Sequence, residues 1–513
     1  MRNHSTISRR DFMKAMGLGT AGIGAAAASI PVFKDLDDIA SGGSNGNGGM
    51  QGGAKFPWWI KQREHYNPTV EVDWDLKQRV DFKHGYSMGP GGAQLPMAGP
   101  STNVDLTIEE EELLVKTRLT AFYEGLMNKT PGGSLRDQAF VATCGGSLTQ
   151  AGINGMSPNA LGGAFGRMQS NLVLGNNVIT PEMAIRTMTA FDLGVPRWEG
   201  TPEENLNMLR VVANYFGSPL VGALDSTAWQ FKKMPYATFQ GRQVVWDDEI
   251  GETVDNAYQD AEYLVIPRSH RWVLVAQNPQ SGMTKNSRTL LGGASSVLGY
   301  ADQRSLESRL ASFIAALGYK TTHSIHISNP GLGILGGLGE LGRHDYLVSP
   351  IYGSNVRQTT FIFTNLPLTP TPPIDAGMWR FCHTCKKCAD VCPGNSISHE
   401  SKPTWEITGK WNGVGNNSWH IRYDRCLPQR GTPGGMTAGG CQNCMGNCVF
   451  TKKTNASVHE IIKMTAATTG IFNGFFRVMD DFFGYGETLN PSDFWDIEKM
   501  DSFPFNGYGA GIQ

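Results

Sequence analysis

The sequence predicts an α+β protein with a separate cysteine-rich module near its C-terminus. Three observations support this: short apolar runs typical of strands, amphipathic segments typical of helices between them, and eight of the nine cysteines gathered in residues 382–448. Strands and helices mixed along one chain indicate a core that contains both. With 513 residues, 40% of them hydrophobic, the chain is long enough for a few structural units.

The overall charge gives no reason to expect a nucleic acid partner. The formal net charge is −2 and the isoelectric point is about 6.6. Nucleic acid binding and polybasic membrane attachment both need clustered positive charge, which a near-neutral chain does not indicate. The 63 glycines and 12 tryptophans suit a protein wrapped around a bulky cofactor, although many loops would give the same glycine count.

Residues 1–33 have the features of an export signal. Residues 8–14 read Ser-Arg-Arg-Asp-Phe-Met-Lys, close to the twin-arginine consensus, and residues 15–30 are weakly apolar and rich in Gly and Ala. An ordinary basic N-terminus is the alternative. We expect export by the twin-arginine (Tat) pathway, cleavage after residues 25–28, and a flexible connector over residues 41–54. Beyond the signal no apolar run reaches 18 residues, so no membrane-spanning helix is expected.

The next unit, residues 34–140, is rich in aromatic side chains and then helical. Residues 107–110 read Thr-Ile-Glu-Glu, a capping box that predicts a helix to about Met127. Trp58 and Trp59 could line a substrate pocket, but packing in the core or an interface is the more common use of such residues.

Strands and amphipathic helices alternate through the following part of the chain. Residues 201–204, Thr-Pro-Glu-Glu, form a second capping box with proline at the first helical position. The helix that follows carries on one face Leu206, Leu209, Val212, Ala213 and Phe216. Residues 263–266 and 272–276 are predicted strands. A later helix is predicted from Ser305 to Gly318, with an apolar face made of Leu306, Leu310, Phe313, Ile314 and Leu317.

A glycine-rich segment, residues 328–342, precedes the cysteine module. Its glycines would let the backbone approach a ligand closely, but it lacks the pattern of a phosphate-binding loop. A strand is predicted over residues 360–364, and a Pro-rich linker at 367–373 leads into the module. After the last cysteine, a helix near residues 457–466 and the aromatic run 472–483 are expected to pack back on the core.

The cysteines fall into two runs with ferredoxin spacing. The first has the pattern C-x₂-C-x₂-C-x₃-C-P and consists of Cys382, Cys385, Cys388 and Cys392. The second keeps the C-x₂-C-x₃-C end with a more distant leading residue, and consists of Cys426, Cys441, Cys444 and Cys448. In bacterial ferredoxins the fourth cysteine of a run binds the neighbouring cluster. One 4Fe-4S cluster is therefore predicted on Cys382, Cys385, Cys388 and Cys448. The other is predicted on Cys392, Cys426, Cys441 and Cys444.

Zinc binding and a disulfide framework are the alternatives for these cysteines. C-x₂-C pairs also serve zinc, whereas such a local concentration in a long chain is not typical of a secreted disulfide scaffold. Two adjacent clusters indicate an electron-transfer path, and that path needs a terminus elsewhere in the chain. Cys144, the ninth cysteine, is expected to be structural or incidental.

Taken together, these motifs resemble those of corrinoid-dependent respiratory reductive dehalogenases over nearly the whole chain. The resemblance rests on both cysteine runs and on residues 9–14, 198–204, 337–343, 365–368, 372–377 and 473–476. It implies a base-off, cobalamin-type corrinoid containing cobalt, bound in a nitroreductase-like α/β core with a ferredoxin-like module beside it. The implied units are the signal (1–33), the N-terminal unit (34–140), the corrinoid-binding core (141–378), the iron–sulfur module (379–455) and a C-terminal segment packing on the core (456–513).

The resemblance also implies the site residues. The family's proton donor is a tyrosine shortly before the helix that ends in Leu-Gly-Tyr, and Tyr300 has that place relative to Tyr319. A phenol stays protonated at neutral pH and can release its proton if the anion is stabilised. Arg357 fits the family's arginine, which would stabilise that anion. Without the resemblance, a buried, hydrogen-bonded core tyrosine would be the favoured interpretation of Tyr300. Asn329 is the nearest candidate for a residue facing the halogen. The candidates for corrinoid contacts are Gly337, Leu338 and Gly339.

The resulting hypothesis is reductive dehalogenation of a small chlorinated hydrocarbon. A low-potential donor would reduce the outer cluster, and the inner cluster would pass single electrons to cobalt. Co(I) would then react with the organohalide while Tyr300 supplies the proton. The family resemblance implies a terminal reductase of anaerobic organohalide respiration, held at the outer face of the cytoplasmic membrane by a small integral-membrane anchor protein. Because the family binds its corrinoid base-off, His323 and His326 are assigned no role as cobalt ligands.

Two other functions stay open from the sequence. Epoxyqueuosine reductases share corrinoid and cluster chemistry, but the export signal and the absence of a basic surface for tRNA are unlike them. A non-catalytic, exported electron-transfer subunit would hold two clusters and no cobalt. The long segment before the cysteine runs is large for a mere electron carrier.

Overall fold

The structure is a computed structural model that describes residues 50–51, 54–80, 120, 124–125, 127–134, 189–191, 196–239, 242–322, 327–357, 359–409, 411–429, 441–451, 457–485 and 488–496. The predicted export signal, the capping box at residues 107–110, Cys144, His323 and His326 lie outside the described residues. In the described ranges no helix is both long and apolar enough to cross a membrane.

The chain mixes strands and helices throughout. In order, the strands are β1 (Met50–Gln51), β2 (Ala54–Lys55), β3 (Lys61–Gln62), β4 (Leu220–Asp225), β5 (Thr238–Phe239), β6 (Arg242–Trp246), β7 (Tyr258–Gln259), β8 (Tyr263–Ile266), β9 (Trp272–Gln277), β10 (Thr321–Thr322), β11 (Glu340–Leu341), β12 (Leu347–Val348), β13 (Thr360–Thr364) and β14 (Ile374–Asp375). The helices are α1 (Pro202–Tyr215), α2 (Leu290–Ala316), α3 (Asn329–Leu335), α4 (Met378–Cys385), α5 (Lys387–Asp390), α6 (Tyr423–Gln429), α7 (Asn443–Gly446), α8 (Ser457–Thr468) and α9 (Asn473–Phe482).

The main sheet is antiparallel, with strand order β10-β13-β9-β4. Its central strands, β9 and β13, are buried along nearly their whole length, because both faces are covered by other parts of the protein. One face packs α1 and α2 through residues such as Leu209, Leu274 and Leu310. The other face packs α3 and the start of the cysteine module, where Phe363 and Phe381 belong to one buried cluster. The sheet therefore packs α1 and the later turns of α2 on one face and the start of the cysteine module on the other.

A second sheet and several short strand pairs complete the described architecture. The second sheet has the order β5-β6-β8-β7, in which β6 and β8 run parallel and the outer pairs are antiparallel. β3 pairs with β14, directly before the cysteine module, and β11 pairs with β12. The chain is thus an α+β protein, as the sequence predicts.

Most elements predicted from periodicity and capping are confirmed. Thr201 caps α1 with the complete capping box, and Pro202 is the first helical residue. β8, β9 and β13 match the three predicted strands, β9 extending one residue further. Trp59 is buried in the core, whereas Trp58 is 62% exposed. The predicted connector is partly wrong, because β1 pairs with β2 within it.

The helix predicted from Ser305 begins 15 residues earlier, at Leu290. Its first part contains Gly292, Gly293 and Gly299, which lower intrinsic helix propensity and hide the helix from a propensity argument. Thr289 caps this N-terminus by accepting a hydrogen bond from the Gly292 N–H. Tyr300 therefore lies in the middle of a long helix rather than in front of a short one.

The C-terminal aromatic run packs on the core only in part. α8 agrees with the helix predicted near residues 457–466. In α9, Phe476 is buried, but Phe475 and Phe482 are 42% and 51% exposed. Instead, Lys387 ties α9 to the cysteine module. Its ammonium is buried and pairs with Asp480, and the Tyr485 carbonyl accepts a further hydrogen bond from it at 2.7 Å.

Candidate functional site

Short helices position the eight cysteines of the module. The first run lies on α4, on α5 and just beyond it, while the second lies on α6 and around α7. All eight are free thiols, not disulfides. In the described residues, no three His, Cys, Asp or Glu side chains converge closely enough to bind one metal ion directly. The ligands of a cubane are held apart by its own irons and sulfides, so a cubane does not require such convergence.

The thiols form two adjoining groups. The thiol of Cys388 is influenced electrostatically by Cys382, Cys385 and Cys448 and also by Cys444. The thiol of Cys444 is influenced by the remaining three, Cys426, Cys441 and Cys392. Burial, reinforced by these neighbours, raises the pKa of Cys388 and of Cys444 well above the usual value for a thiol. Bound iron would supply the positive charge that favours the thiolates. The grouping agrees with the predicted ligand sets, which stay predictions.

The second cysteine run docks on the N-terminal half of α2. Gln442, which follows Cys441, donates to the Gly292 carbonyl and accepts from Gln280. The Ser287 hydroxyl donates to the Cys441 carbonyl at 3.1 Å. These contacts attach the module to the helix that carries the candidate proton donor.

Tyr300 and Arg357 lie against each other. The guanidinium of Arg357 stands over the Tyr300 ring, 5.1 Å from its centroid. Its Nη1 donates to Ser296 Oγ at 2.6 Å, and its Nη2 lies 3.6 Å from the sulfur of Met445. Arg357 packs closely against Gly299, where an added Cβ would stand 3.0 Å from the Arg357 Cβ. Arg357 therefore connects Tyr300 to the cysteine module, since Met445 directly follows Cys444.

Asn329 is linked to Arg357 through two buried side chains. Gln277 donates to the Arg357 carbonyl at 2.7 Å and accepts from the Thr359 hydroxyl at 3.1 Å. The same hydroxyl lies 3.1 Å from the Asn329 carbonyl, to which it can also donate. The side-chain Oδ1 of Asn329 is buried without a hydrogen-bond partner in the described residues. The structure thus brings the three predicted catalytic candidates into one connected region.

The predicted corrinoid contacts are packed inside the protein. Gly337, Leu338 and Gly339 are all buried, and Leu338 has 0% exposure. A Cβ on Gly339 would collide with the Val348 carbonyl, so this glycine permits a close approach within the protein. Corrinoid contact by these three residues stays a prediction. Two charged residues of the same segment, Glu340 and Arg343, contact the ends of α4.

Three of the connecting residues were not predicted from the sequence. Ser296 and Met445 contact Arg357, and Gln277 fixes its backbone. A polar residue directly after the apolar strand at residues 272–276 was the available signal for Gln277. Met445 lies inside the second cysteine run, but spacing alone does not tell which intervening residue faces the core.

Comparisons with known proteins identify the family. The model of the Dehalogenase family, described as reductive dehalogenase subunit, matches residues 55–368. A chloroethene reductive dehalogenase of Dehalococcoides mccartyi strain VS is 33% identical, and the match covers 99% of both chains. A trichloroethene reductive dehalogenase of the same species is 31% identical, again over 99% of both chains.

A solved reductive dehalogenase, from a study of B12-dependent dehalogenation, shares the fold with a TM-score of 0.56 at 19% identity. The match covers 89% of this chain and spans 53% of that one. An epoxyqueuosine reductase of Listeria monocytogenes matches only 24% of this chain, at 27% identity. The match to the family model and the full-length relatives together establish that the chain belongs to the reductive dehalogenase family.

Proposed function

We propose that this protein removes a halogen reductively from a small chlorinated hydrocarbon. The observation that carries the proposal is the contact of Arg357 with Tyr300, which lies on the helix against which the cysteine module docks. A proton donor next to an electron-transfer module is what replacement of a carbon–halogen bond by a carbon–hydrogen bond requires. The names of the two full-length relatives support chlorinated ethenes as the first substrates to test.

The proposed cofactors are two 4Fe-4S clusters and one corrinoid in a nitroreductase-like core. Two groups of four soft, buried thiols are a donor set suited to two cubanes. In the region connected to Arg357, the Asn329 Oδ1 has no hydrogen-bond partner among the described residues and is a polar atom that a bound molecule could satisfy. When bound, the clusters would supply single electrons and the corrinoid a low-valent cobalt able to break the carbon–halogen bond.

Residues of this chain would donate the proton and stabilise the phenolate that remains. The Tyr300 hydroxyl makes no hydrogen bond to another described residue, so it is available to a substrate. After the proton leaves, the positive charge of Arg357 would stabilise the phenolate. Ser296 holds the guanidinium in place, and Gln277 holds the backbone of Arg357. The amide of Asn329 would face the halogen side of the substrate.

The cellular setting is also proposed. The twin-arginine pattern at residues 8–14 supports export by the Tat pathway. We infer a peripheral location on the outer face of the cytoplasmic membrane, with a small integral-membrane anchor protein and an upstream low-potential electron donor as partners. In that place the enzyme would be the terminal reductase of anaerobic organohalide respiration.

The deciding experiment is the metal content of protein purified without oxygen from a host that supplies corrinoid. We expect about eight irons, with matching acid-labile sulfide, and about one cobalt per chain. Chloride release from chlorinated ethenes, driven by a low-potential dye, is then measured on the same preparation. Eight irons without cobalt would favour the electron-transfer subunit, and zinc in place of iron would refute the cluster assignment.

A further inference from the structure

Arg343 is a buried cation beside the first cysteine group. Its side chain is 1% exposed, and its guanidinium lies 4.0 Å from the centre of the Trp419 ring. The Cys382 carbonyl accepts from Nε at 3.0 Å and from Nη2 at 2.7 Å. The ionisable groups that act on it most strongly are the thiols of Cys382, Cys388 and Cys385.

Among the described residues, the hydrogen bonds of this guanidinium all go to neutral carbonyl acceptors. Nη1 donates to the carbonyls of Ser398 and Glu400, and Nη2 also donates to the carbonyl of His383. No carboxylate in the described part of the chain forms an ion pair with Arg343. A buried charge normally needs an opposite charge nearby, because burial removes the water that would stabilise it.

Two other cations next to these cysteines, Lys387 and Arg477, are neutralised by carboxylates. Lys387 pairs with Asp480 and Asp481. Arg477 pairs with Asp390 and Asp481 while it donates to the Cys385 carbonyl. Arg343 differs from Lys387 and Arg477, because no carboxylate of the described residues forms an ion pair with it.

We propose that Arg343 is the fixed counter-charge of the iron–sulfur cluster on Cys382, Cys385, Cys388 and Cys448, and that it raises the reduction potential of that cluster. This inference rests on the proposed function, which supplies the cluster. Reduction adds one electron from the external donor to an already anionic group and takes up no proton. A nearby positive charge in a dry site therefore stabilises the reduced form more than the oxidised form. Arg343 acts here as a positioning and charge-setting residue and does not touch the substrate.

The test is a potentiometric titration of the holoenzyme followed by electron paramagnetic resonance, on Arg343→Gln and Arg343→Lys. In Arg343→Gln we expect the reduced-to-oxidised ratio of one cluster to fall about tenfold at a given potential. For a one-electron couple this is a shift of about 59 mV to more negative potential. The second cluster should keep its potential and serve as an internal control. Arg343→Lys keeps the charge and should stay within about twofold of wild type.

Arg380→Gln is the matched control. Arg380 lies on the same helix as Cys382, but it is half exposed and paired with Asp375, so solvent screens its charge. We expect no shift in either cluster. If Arg343 only held the module together through its hydrogen bonds, both variants would show the same shift in reduction potential, because lysine cannot replace the five N–H donors of the guanidinium.

The outcomes are separable from those of the proposed function. Wild-type protein with fewer than about eight irons would contradict the proposed function itself. Two intact clusters with no shift in Arg343→Gln, or an equal shift in Arg343→Lys, would overturn the role of Arg343 alone. If Arg343→Gln binds only one cluster, Arg343→Lys decides: a near wild-type potential supports the proposal, and a tenfold change overturns it.

Discussion

Glu340 should make the stability of the protein fall as the pH rises through the neutral range. Its side chain has 0% exposure. Its Oε2 accepts from the Ala376 and Met378 N–H groups, each at 2.9 Å, at the N-terminus of α4. Burial, with repulsion from Asp375 as a smaller cause, raises the pKa of Glu340 from 4.5 to about 7, and the N–H donors act in the opposite direction.

The sign and size follow from proton linkage. Between the unfolded pKa of 4.5 and the folded pKa of about 7, the folded protein binds more protons at this site than the unfolded chain. The free energy of unfolding therefore decreases with pH in that window and levels off above it. The folded and unfolded pKa values of Glu340 differ by roughly 2.5. At about 1.36 kcal/mol per pKa unit, the free energy of unfolding falls by an amount on the order of 3 kcal/mol.

The assay is urea unfolding of wild type and Glu340→Gln between pH 5 and pH 8. Glutamine has no proton to lose in this range, so the stability difference between wild type and variant should change by most of that amount. Glu406→Gln, at an exposed position, is the control and should follow the wild-type profile. A parallel pH dependence for wild type and Glu340→Gln would refute the reasoning.

Three further substitutions test the site and its support. Tyr300→Phe should lower turnover by about 10²- to 10⁴-fold while iron and cobalt contents stay at wild-type levels, because only the proton donor is removed; full turnover would exclude that role. Gly299→Val should displace Arg357 and lower turnover without loss of iron, whereas an unchanged rate would mean that the Arg357–Tyr300 contact is dispensable. Lys387→Met removes the buried cation that pairs with Asp480 and should cost about 3 kcal/mol or more in urea unfolding; the double variant Lys387→Met/Asp480→Leu should recover part of that loss.

Local sequence signals were sufficient to predict those elements whose structure is determined by their own residues. The capping box at Thr201 and the apolar run of β13 define an element without help from the rest of the chain. The first half of α2 is the opposite case. Its glycines and serines favour no helix, and Gln442 from the distant cysteine run holds it through the Gly292 carbonyl. This part of the helix depends on contacts with residues far away in the sequence, so the local sequence alone does not predict it.

The candidate site was predictable only in part, for a related reason. Cysteine spacing alone predicted the two thiol groups, since ligands to one cluster recur at short intervals. Tyr300 and Arg357 came from family resemblance, because residues this far apart in sequence carry no pattern that joins them. Met445 and Gln277 were missed because their importance lies in what they touch. Glu340 and Arg343 lay within a recognised motif, but their contacts with α4 depend on how β11 meets the module.

One helix connects the cysteine module with the proposed proton donor, Tyr300. The first turns of α2 bind the second cysteine run through Gln442, and its later turns pack on the main sheet around Leu310. Tyr300 lies between these two attachments, next to an arginine that also reaches Met445. Because buried protein is close-packed, a shift of the module would move the arginine and the phenol together. The distance between the proposed electron source and the proposed proton donor is therefore set by this helix, and our proposal requires no moving domain to deliver both to one substrate.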